Sequence, residues 1–471
     1  MATISSPGLA SGIDIKSIVS QLVALERAPL QPLQTQATSM QSKLSVYGSI
    51  KSMVASLGDA ASKLSTASGW NNVTATSSNT AAVSVTAAAG AASTSLSIEV
   101  QQLAKAQSTA SIAIPVGSTM GSGSMSIQLG GWSGNTFTPG TGAAINVAVE
   151  ATDTLTQIAA KVNAAGAGVS AMVLRDASGE RLLMRSSETG EVNAFRVQVT
   201  DDDGTPNDAS GLSRLAYDPG TATGTTRTQQ ALNAQATVNN VAITSASNKL
   251  TEALPGLTLQ LSQVTTAPVE IGVSNDTAAM KKNVEAFVAA YNTLNTMLTN
   301  ATKYNPETKV AGSLQGDSTA IGLQNALRGM MRSVTASSPF SRLVDVGIEA
   351  KEGGNLEIKA DKLDAALSNL DGLKALFIAP GDAGSQGFGL KIKSFADGLL
   401  SVDGLVSTRT DSLQSAVKRN TKEQDKVIDR AARAEVRLLA QYNAMDAAVG
   451  RLNGLSAFVN QQVTMWNKST G

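Results

Sequence analysis

Both ends of this chain carry the three–four spacing of apolar residues that marks a helix with one greasy edge, and few folds accept that at both termini. Near the start, Ile15, Ile18, Leu22 and Leu25 form a stripe as narrow as a coiled-coil seam, too narrow for a helix sunk in a globular core. The residues ahead of it, from Ser5, read as a flexible arm. Pro29 and Pro32 then interrupt the pattern, because each lacks an N–H and crowds the preceding turn. A second seam runs through Leu30, Leu33, Ala37, Met40, Leu44 and Tyr47, continues roughly through Val54, Leu57 and Leu64, and stops at Gly69.

The longest seam is the last. It holds Val417, Asn420, Gln424, Val427, Ala431, Ala434, Leu438, Gln441, Met445, Ala448, Leu452, Leu455, Val459, Gln462 and Trp466. Unbroken, that helix is about 75 Å long at roughly 1.5 Å per residue. The N-terminal stripe is expected to pack on it, and on copies of it in other subunits. The chain would then be a hairpin, with both termini at one pole, the middle domains at the other, and the region of Leu22 near that of Leu452. An ordinary helical bundle with an inserted β domain is the alternative that periodicity leaves open. The polar members of the seam, Asn420, Gln424, Gln441 and Gln462, either lower stability while setting register and partner choice, or simply face solvent.

Between the seams the texture changes. From Trp70 to about Ile271 it is Ser, Thr, Ala, Gly and Val, with alternating runs such as "AVSVT" and "SLSIEV" that read as half-buried strands. "DTLTQIAAKVNAAGAGV" reads as a short helix capped by Asp153, faced by Leu155, Ile158 and Val162, and stopped by Gly166. "VSAMVLRD" and "RLLMRS" flank "ASGE" as a hairpin does. Helix returns with Met280, Val284, Phe287, Tyr291, Leu294 and Leu298 on one stripe, capped within Ser274 to Asp276. "VGIEAKEGGNLEIKADKLDAALSNL" then predicts a hairpin leading into a helix.

At 471 residues the chain is too long for one core, and about three or four domains are expected. There is no Cys and no His, so the common zinc sites, Cys or Ser/His nucleophile pairs and disulfide staples cannot be built. Aromatics make up 3%, so the cores rest on smaller aliphatic side chains and should unfold easily. Lys plus Arg and Asp plus Glu each total 37, with no dense basic cluster, which argues against nucleic-acid binding. No apolar run reaches transmembrane length, so membrane insertion is not expected. Neither is a Sec-type signal peptide, since no Lys or Arg precedes Lys16 and no continuous apolar segment follows.

Candidate chemical sites are few. "DDDG" at 201–204, with Asn207 and Asp208, could suggest calcium, but its spacing does not match an EF-hand loop and a solvated turn is the simpler reading. Asp361, Lys362 and Asp364 could form an acid–base cluster or be exposed charges on a helix, and the second is favoured. No nucleophile elbow or P-loop is present. The chain is therefore not expected to be an enzyme, and no catalytic, cofactor or metal residue is nominated.

Several phrases resemble one family in its own order. "GLASGIDIKSIVSQLVALERAPL", "SLSIEVQQLAKAQ", "GSLQGDSTAIGLQNALRGMM", "LVDVGIEAKEGGNLEIKADKLDAAL" and "RLLAQYNAMDAAVGRLN" resemble the bacterial flagellar filament-capping proteins, also called hook-associated protein 2. "TLTQIAAKVNAAGAGVSAMVLRDASGERLLMRSSETG" is similar to a small module recurring in flagellins and hook-associated proteins. The resemblance implies an α+β multidomain fold: paired terminal coiled-coil helices, a mostly helical leg domain, and two β-rich head domains inserted between the halves. The division it implies is 1–45 and 431–471 for the coiled-coil leg, and 46–72 with 274–430 for the helical leg domain. It assigns 73–110 with 230–273 to the first head domain and 111–229 to the second.

It also implies a role. Members form a homo-oligomeric ring, commonly a pentamer, at the filament tip, where they guide insertion of exported flagellin and prevent its loss. Flagellin, the hook-associated junction proteins and a flagellar type III export chaperone at the C-terminal leg are the implied partners. The protein would lie outside the cell, exported unfolded without a cleaved signal peptide, and a chain free of disulfides suits a narrow channel. Ile15, Ile18, Leu22, Leu25, Leu438, Met445, Leu452, Leu455 and Val459 are the candidate inter-subunit seam. The legs are expected to be disordered in an isolated subunit and to fold on assembly. Another axial flagellar component, or a surface adhesin with a glycan-binding head, are the alternatives.

Overall fold

The computed structural model describes residues 12–469, apart from 206–207, 209, 222–223, 336–338 and 383–384, and for 468–469 the backbone alone. The expected N-terminal arm, up to residue 11, lies outside the described residues. The chain divides into two compact units, a helical one of Met1–Trp70 with Met280–Gly471, and a β-rich one of Asn71–Ala279.

The helical unit opens with α1 (Ile15–Arg27) and α2 (Leu30–Ser65). Asp14 starts α1, its carboxylate accepting from the Ser17 N–H at 3.0 Å and so satisfying one orphan donor of the first turn. Pro29 is the N-cap of α2 and does interrupt the pattern. Pro32 does not: it sits in the first turn of α2, where a missing N–H leaves no intrahelical bond unmade. After α2 a short 3₁₀ turn, Ala67–Gly69, delivers Trp70, whose indole N–H donates to the Leu64 carbonyl at 2.8 Å.

The β unit holds two cores. Its strands begin with β1 (Val73–Ser77), β2 (Val83–Ala87) and β3 (Thr94–Gln102). The chain then enters the second core through β4 (Ser108–Ser111), β5 (Gly123–Ser133), β6 (Thr136–Pro139) and β7 (Ile145–Val149). The short helix follows as α3 (Leu155–Ala165), then the expected hairpin of β8 (Val169–Asp176) and β9 (Gly179–Ser186), then β10 (Ala194–Asp201) and β11 (Thr225–Gln229). It returns to the first core with β12 (Ala234–Val238), β13 (Val241–Ser245), β14 (Lys249–Leu254), β15 (Leu257–Leu261) and β16 (Val269–Asn275).

In the first core, the sheet β1-β16-β3-β12-β13 faces β14-β15-β2, and Ile98, Val100 and Ile271 of one meet Val83 and Leu259 of the other. Asn239 and Asn240 take positive φ between β12 and β13, as a tight hairpin turn requires. In the second core, β5 lies between β10 and the pair β6 and β7, while a second sheet runs β11-β4-β9-β8. Met125, Ile127, Ile158, Leu182, Phe195 and Val197 fill the space they share with α3. β4 hydrogen-bonds into this second core, so the chain crosses over ahead of Ser108.

Two local readings change here. The N-cap of α3 is Thr154, whose N–H donates to the Gln157 side chain at 2.9 Å; Asp153 is buried one residue earlier and holds Lys161. Asp201 is no solvated turn residue either. Its buried carboxylate accepts from the N–H groups of Leu212 and Ser213 at 2.7 and 3.0 Å, pinning the turn that follows.

The chain re-enters the helical unit along α4 (Thr277–Thr302), with Asp276 accepting from the Ala279 N–H at 2.8 Å and the whole Met280-to-Leu298 stripe buried. A small hairpin, β17 (Tyr304–Asn305) and β18 (Val310–Ala311), leads to α5 (Ser318–Met331). The expected second hairpin is β19 (Ile348–Ala350) with β20 (Leu356–Ile358). α6 (Ala360–Leu367), α7 (Leu370–Ile378), α8 (Phe388–Leu400) and α9 (Leu405–Ser469) complete the unit. Its core concentrates the scarce aromatics: Tyr47, Trp70, Phe287, Tyr291, Phe377 and Phe388 are all buried, and the Trp70 and Phe377 rings lie 5.4 Å apart.

Candidate functional site

α9 is one unbroken helix of 65 residues, about 97 Å at ~1.5 Å per residue, and its surroundings change along its length. It starts at Leu405, ahead of the expected Val417, because Val406 and Leu413 are anchored in the helical core. The anchor is polar as well. Arg409 on α9 reaches Asp317, the N-cap of α5, at 2.7 Å, and the Tyr47 hydroxyl of α2 donates to the same carboxylate at 2.7 Å. The Asp317 side chain is 2% exposed. Burial alone would raise its pKa, but the bonds from Tyr47 and Arg409, aided by the Ala320 N–H, outweigh it and hold the carboxyl below its ordinary value. Burial and the same carboxylate push the Tyr47 hydroxyl up, so it stays protonated.

Farther along, every seventh residue of α9 from Val406 to Ala434 is buried: Leu413, Asn420, Val427 and Ala434. Asn420 is the one polar member. Its amide donates to the Gln36 side chain of α2 at 3.0 Å and its oxygen accepts from Gln424 at 2.6 Å. So Asn420 belongs to the seam and Gln424 is half-buried beside it, whereas Gln441 and Gln462 face solvent.

The two chain ends do pair. Ile15, Val19 and Val23 of α1 are buried with Ala431, and Leu438, Leu439 and Tyr442 close over them. Ion pairs flank the contact, Glu26 with Arg430 at 3.1 Å and Arg27 with Glu435 at 3.8 Å. The face used differs from the expected stripe. Ile15 is common to both, but Ile18 and Leu22 are half-buried and Leu25 is 70% exposed. Val19 and Val23 escaped notice because an i, i+4 row and an i, i+3, i+4 row both start at Ile15 and spacing alone cannot choose between them. Leu22 does not face Leu452. Leu438 is already level with the α1 contact, and Leu452 lies about 21 Å farther along α9 at ~1.5 Å per residue.

Beyond Tyr442 the helix is largely uncovered. Met445, Leu452, Leu455 and Val459 are exposed, as is Trp466 at 72%. Phe458 and Val463 are exposed too, and Val463 rather than Gln462 continues the stripe. Residues 452–467 contain no charged side chain at all. The signal that finds Phe458 and Val463 is that absence of charge, not the heptad.

Neither acidic candidate forms a site among the described residues. Asp361, Lys362 and Asp364 are exposed on α6, with Lys362 paired to Glu349 and Asp364 to Lys281. Asn207 lies outside the described residues, and among those described no group of three or more acidic or metal-binding side chains could hold an ion. Among them, too, no helix is long and apolar enough to cross a membrane.

The fold is of the α+β multidomain class, with paired terminal helices and β cores inserted between the halves. The chain belongs to the flagellar hook-associated protein 2 family. Residues 11–107 match the model of that family's N-terminus and 231–454 the model of its C-terminus. It is 33% identical to flagellar hook-associated protein 2 of Escherichia coli K12 over 98% of both chains, and 30% identical to the B-type protein of Pseudomonas aeruginosa over 93% of this chain and 94% of that one. The crystal structure of the E. coli flagellar cap protein FliD, domains D1-D2-D3, is similar with a TM-score of 0.63 and 33% identity, covering 78% of this chain and 99% of that one.

Proposed function

We infer that this chain is the cap at the distal end of a bacterial flagellar filament, a structural protein that makes and breaks no bonds. End-to-end likeness to hook-associated protein 2 supports the role. The single observation that carries the mechanism is the uncovered, uncharged stripe of α9 from Leu452 to Trp466. Each such aliphatic side chain gains roughly 1.5–3 kcal/mol when buried, so the stripe favours assembly over an isolated chain.

In this reading the leg, residues 1–45 and 431–471, joins neighbouring copies into a small ring through Ile18, Leu22, Leu25, Met445, Leu452, Leu455 and Val459. Ile15 and Leu438 serve the pairing within each chain. The ring, of five copies or a similar number, seats exported flagellin and stops its loss, above the hook-associated junction proteins. Before assembly the same stripe is the docking site for an export chaperone, and the protein reaches the tip through the flagellar channel without a cleaved signal. Residues 46–72 and 274–430 form the helical leg domain, with the two head domains between.

Deleting the gene tests the role. Unpolymerised flagellin should accumulate in the medium, and normal filaments in the deletion strain would sink the proposal. Light scattering on the purified chain reads the copy number, where open-ended filaments would point instead to a flagellin.

A further inference from the structure

Two chain crossings join the cores of the β unit, and they lie side by side. The Lys105 N–H donates to the Leu232 carbonyl at 2.9 Å, and the Leu232 N–H returns a bond to Lys105 at 3.1 Å. An isolated two-stranded pairing is only marginally stable, so these crossings by themselves leave the cores free to hinge. A third connection comes from the loop between β9 and β10. That loop is tied to the second core where the Ser187 N–H donates to Gly168 at 2.9 Å, and it is braced internally by Asn193 donating to the Thr189 carbonyl at 2.7 Å.

Its tip then grips the first core at the turn between β13 and β14, and the two crossings beside it. The Thr189 hydroxyl donates to the Ala246 carbonyl at 2.7 Å, in the turn between β13 and β14. The Gly190 N–H donates to the Lys105 carbonyl at 3.1 Å, and the Glu191 N–H to the Asn233 side chain at 2.9 Å. Gly190 makes the approach feasible. Its φ is +100°, and a Cβ there would lie 2.5 Å from the Ala246 Cβ and 2.6 Å from its Cα, so no larger residue fits.

We propose that residues 187–193 are a clasp that locks the two β cores into one orientation, with Gly190 as the positioning residue. One anchor on the first core and two on the crossings tie the loop to both, and so remove the bending freedom that the ribbon alone retains. The inference stands on the β unit by itself and does not depend on the capping role.

Spin labels test it directly. The chain has no Cys, so Met172→Cys on β8 and Val241→Cys on β13, both exposed, place one label on each core. The parent pair should give one narrow distance distribution. Gly190→Val should broaden it severalfold, while circular dichroism and the thermal melt of the β unit stay those of a folded protein. Thr189→Val with Asn233→Ala removes two of the anchoring bonds without a clash, and should broaden it to a lesser degree. If Gly190→Val fails to fold, this second variant decides. A broad distribution in the parent, or a narrow one in folded variants, overturns the clasp.

Discussion

The inner and outer stretches of α9 share a helical spacing yet lie in opposite environments. Around Val406, Arg409 and Leu413 the helix is held in the helical core and by the Tyr47–Asp317–Arg409 contact. From Leu452 to Asn467 its residues are exposed. Between them the α1 contact is thin, since Ile15, Val19 and Val23 share their cluster with Ala431 alone among the buried residues of α9. The difference teaches that a seam states which face of a helix wants cover, while the amount of cover depends on bulk and neighbours. Fold stability is therefore concentrated at the inner end, while the outer end leaves apolar area open for the assembly proposed above.

The comparison breaks most visibly at Asp317. Asp317→Ala should lower the unfolding free energy of the helical unit by about 3 kcal/mol, the low end for a broken buried ion pair because Arg409 is partly exposed. Urea melts would read it, and an unchanged midpoint would mean the anchor is ornamental. The same group sets a pH dependence. Its folded pKa is depressed, so its contribution is complete above the unfolded value of about 3.9 and is lost as pH falls through the folded value. Acid should therefore destabilise the parent unit below about pH 4, and Asp317→Asn should flatten that part of the curve.

At the middle of the helix the effect is local. Ile15→Ala should remove about 2–3 kcal/mol from the α1 contact, releasing α1 and the facing turns of α9 to fast amide exchange. The main melting transition should stay where it was, and a shift of that transition would show the leg and core to be one cooperative unit. The smallest effect is expected at the outer end. Trp466→Ala should change the stability of the isolated chain by less than about 0.5 kcal/mol, because the side chain is 72% exposed. Capping should nevertheless fail, as judged by flagellin leaking from cells carrying only that variant. Full capping by it would remove the outer stripe from the assembly mechanism.

Much of the architecture could be read in advance. The stripe of α4 and the hairpin of β8 and β9 follow from periods of 3.6 and 2, since each buries one regular face. What escaped were choices between neighbours of equal merit. Thr154 rather than Asp153 caps α3 because Lys161 claims the aspartate, which no local rule foresees. Asp201 reads as another acidic turn residue until Leu212 and Ser213 arrive to be capped by it. β4 has small polar residues on both faces, so its place in the second core was silent until its partner strands were known.

The order of residues by itself determined where helix gives way to sheet and back, because apolar period and glycine content act within a few residues of each other. It also determined that both ends carry seams and that the last of them would reach far. Only the tertiary structure decided that Val19 and Val23, not Ile18 and Leu25, meet α9, and that Asp317 gathers Tyr47 and Arg409. Those contacts join residues far apart in the chain. Their geometry depends on how whole helices settle against one another, and that is set by the summed packing of every side chain between them.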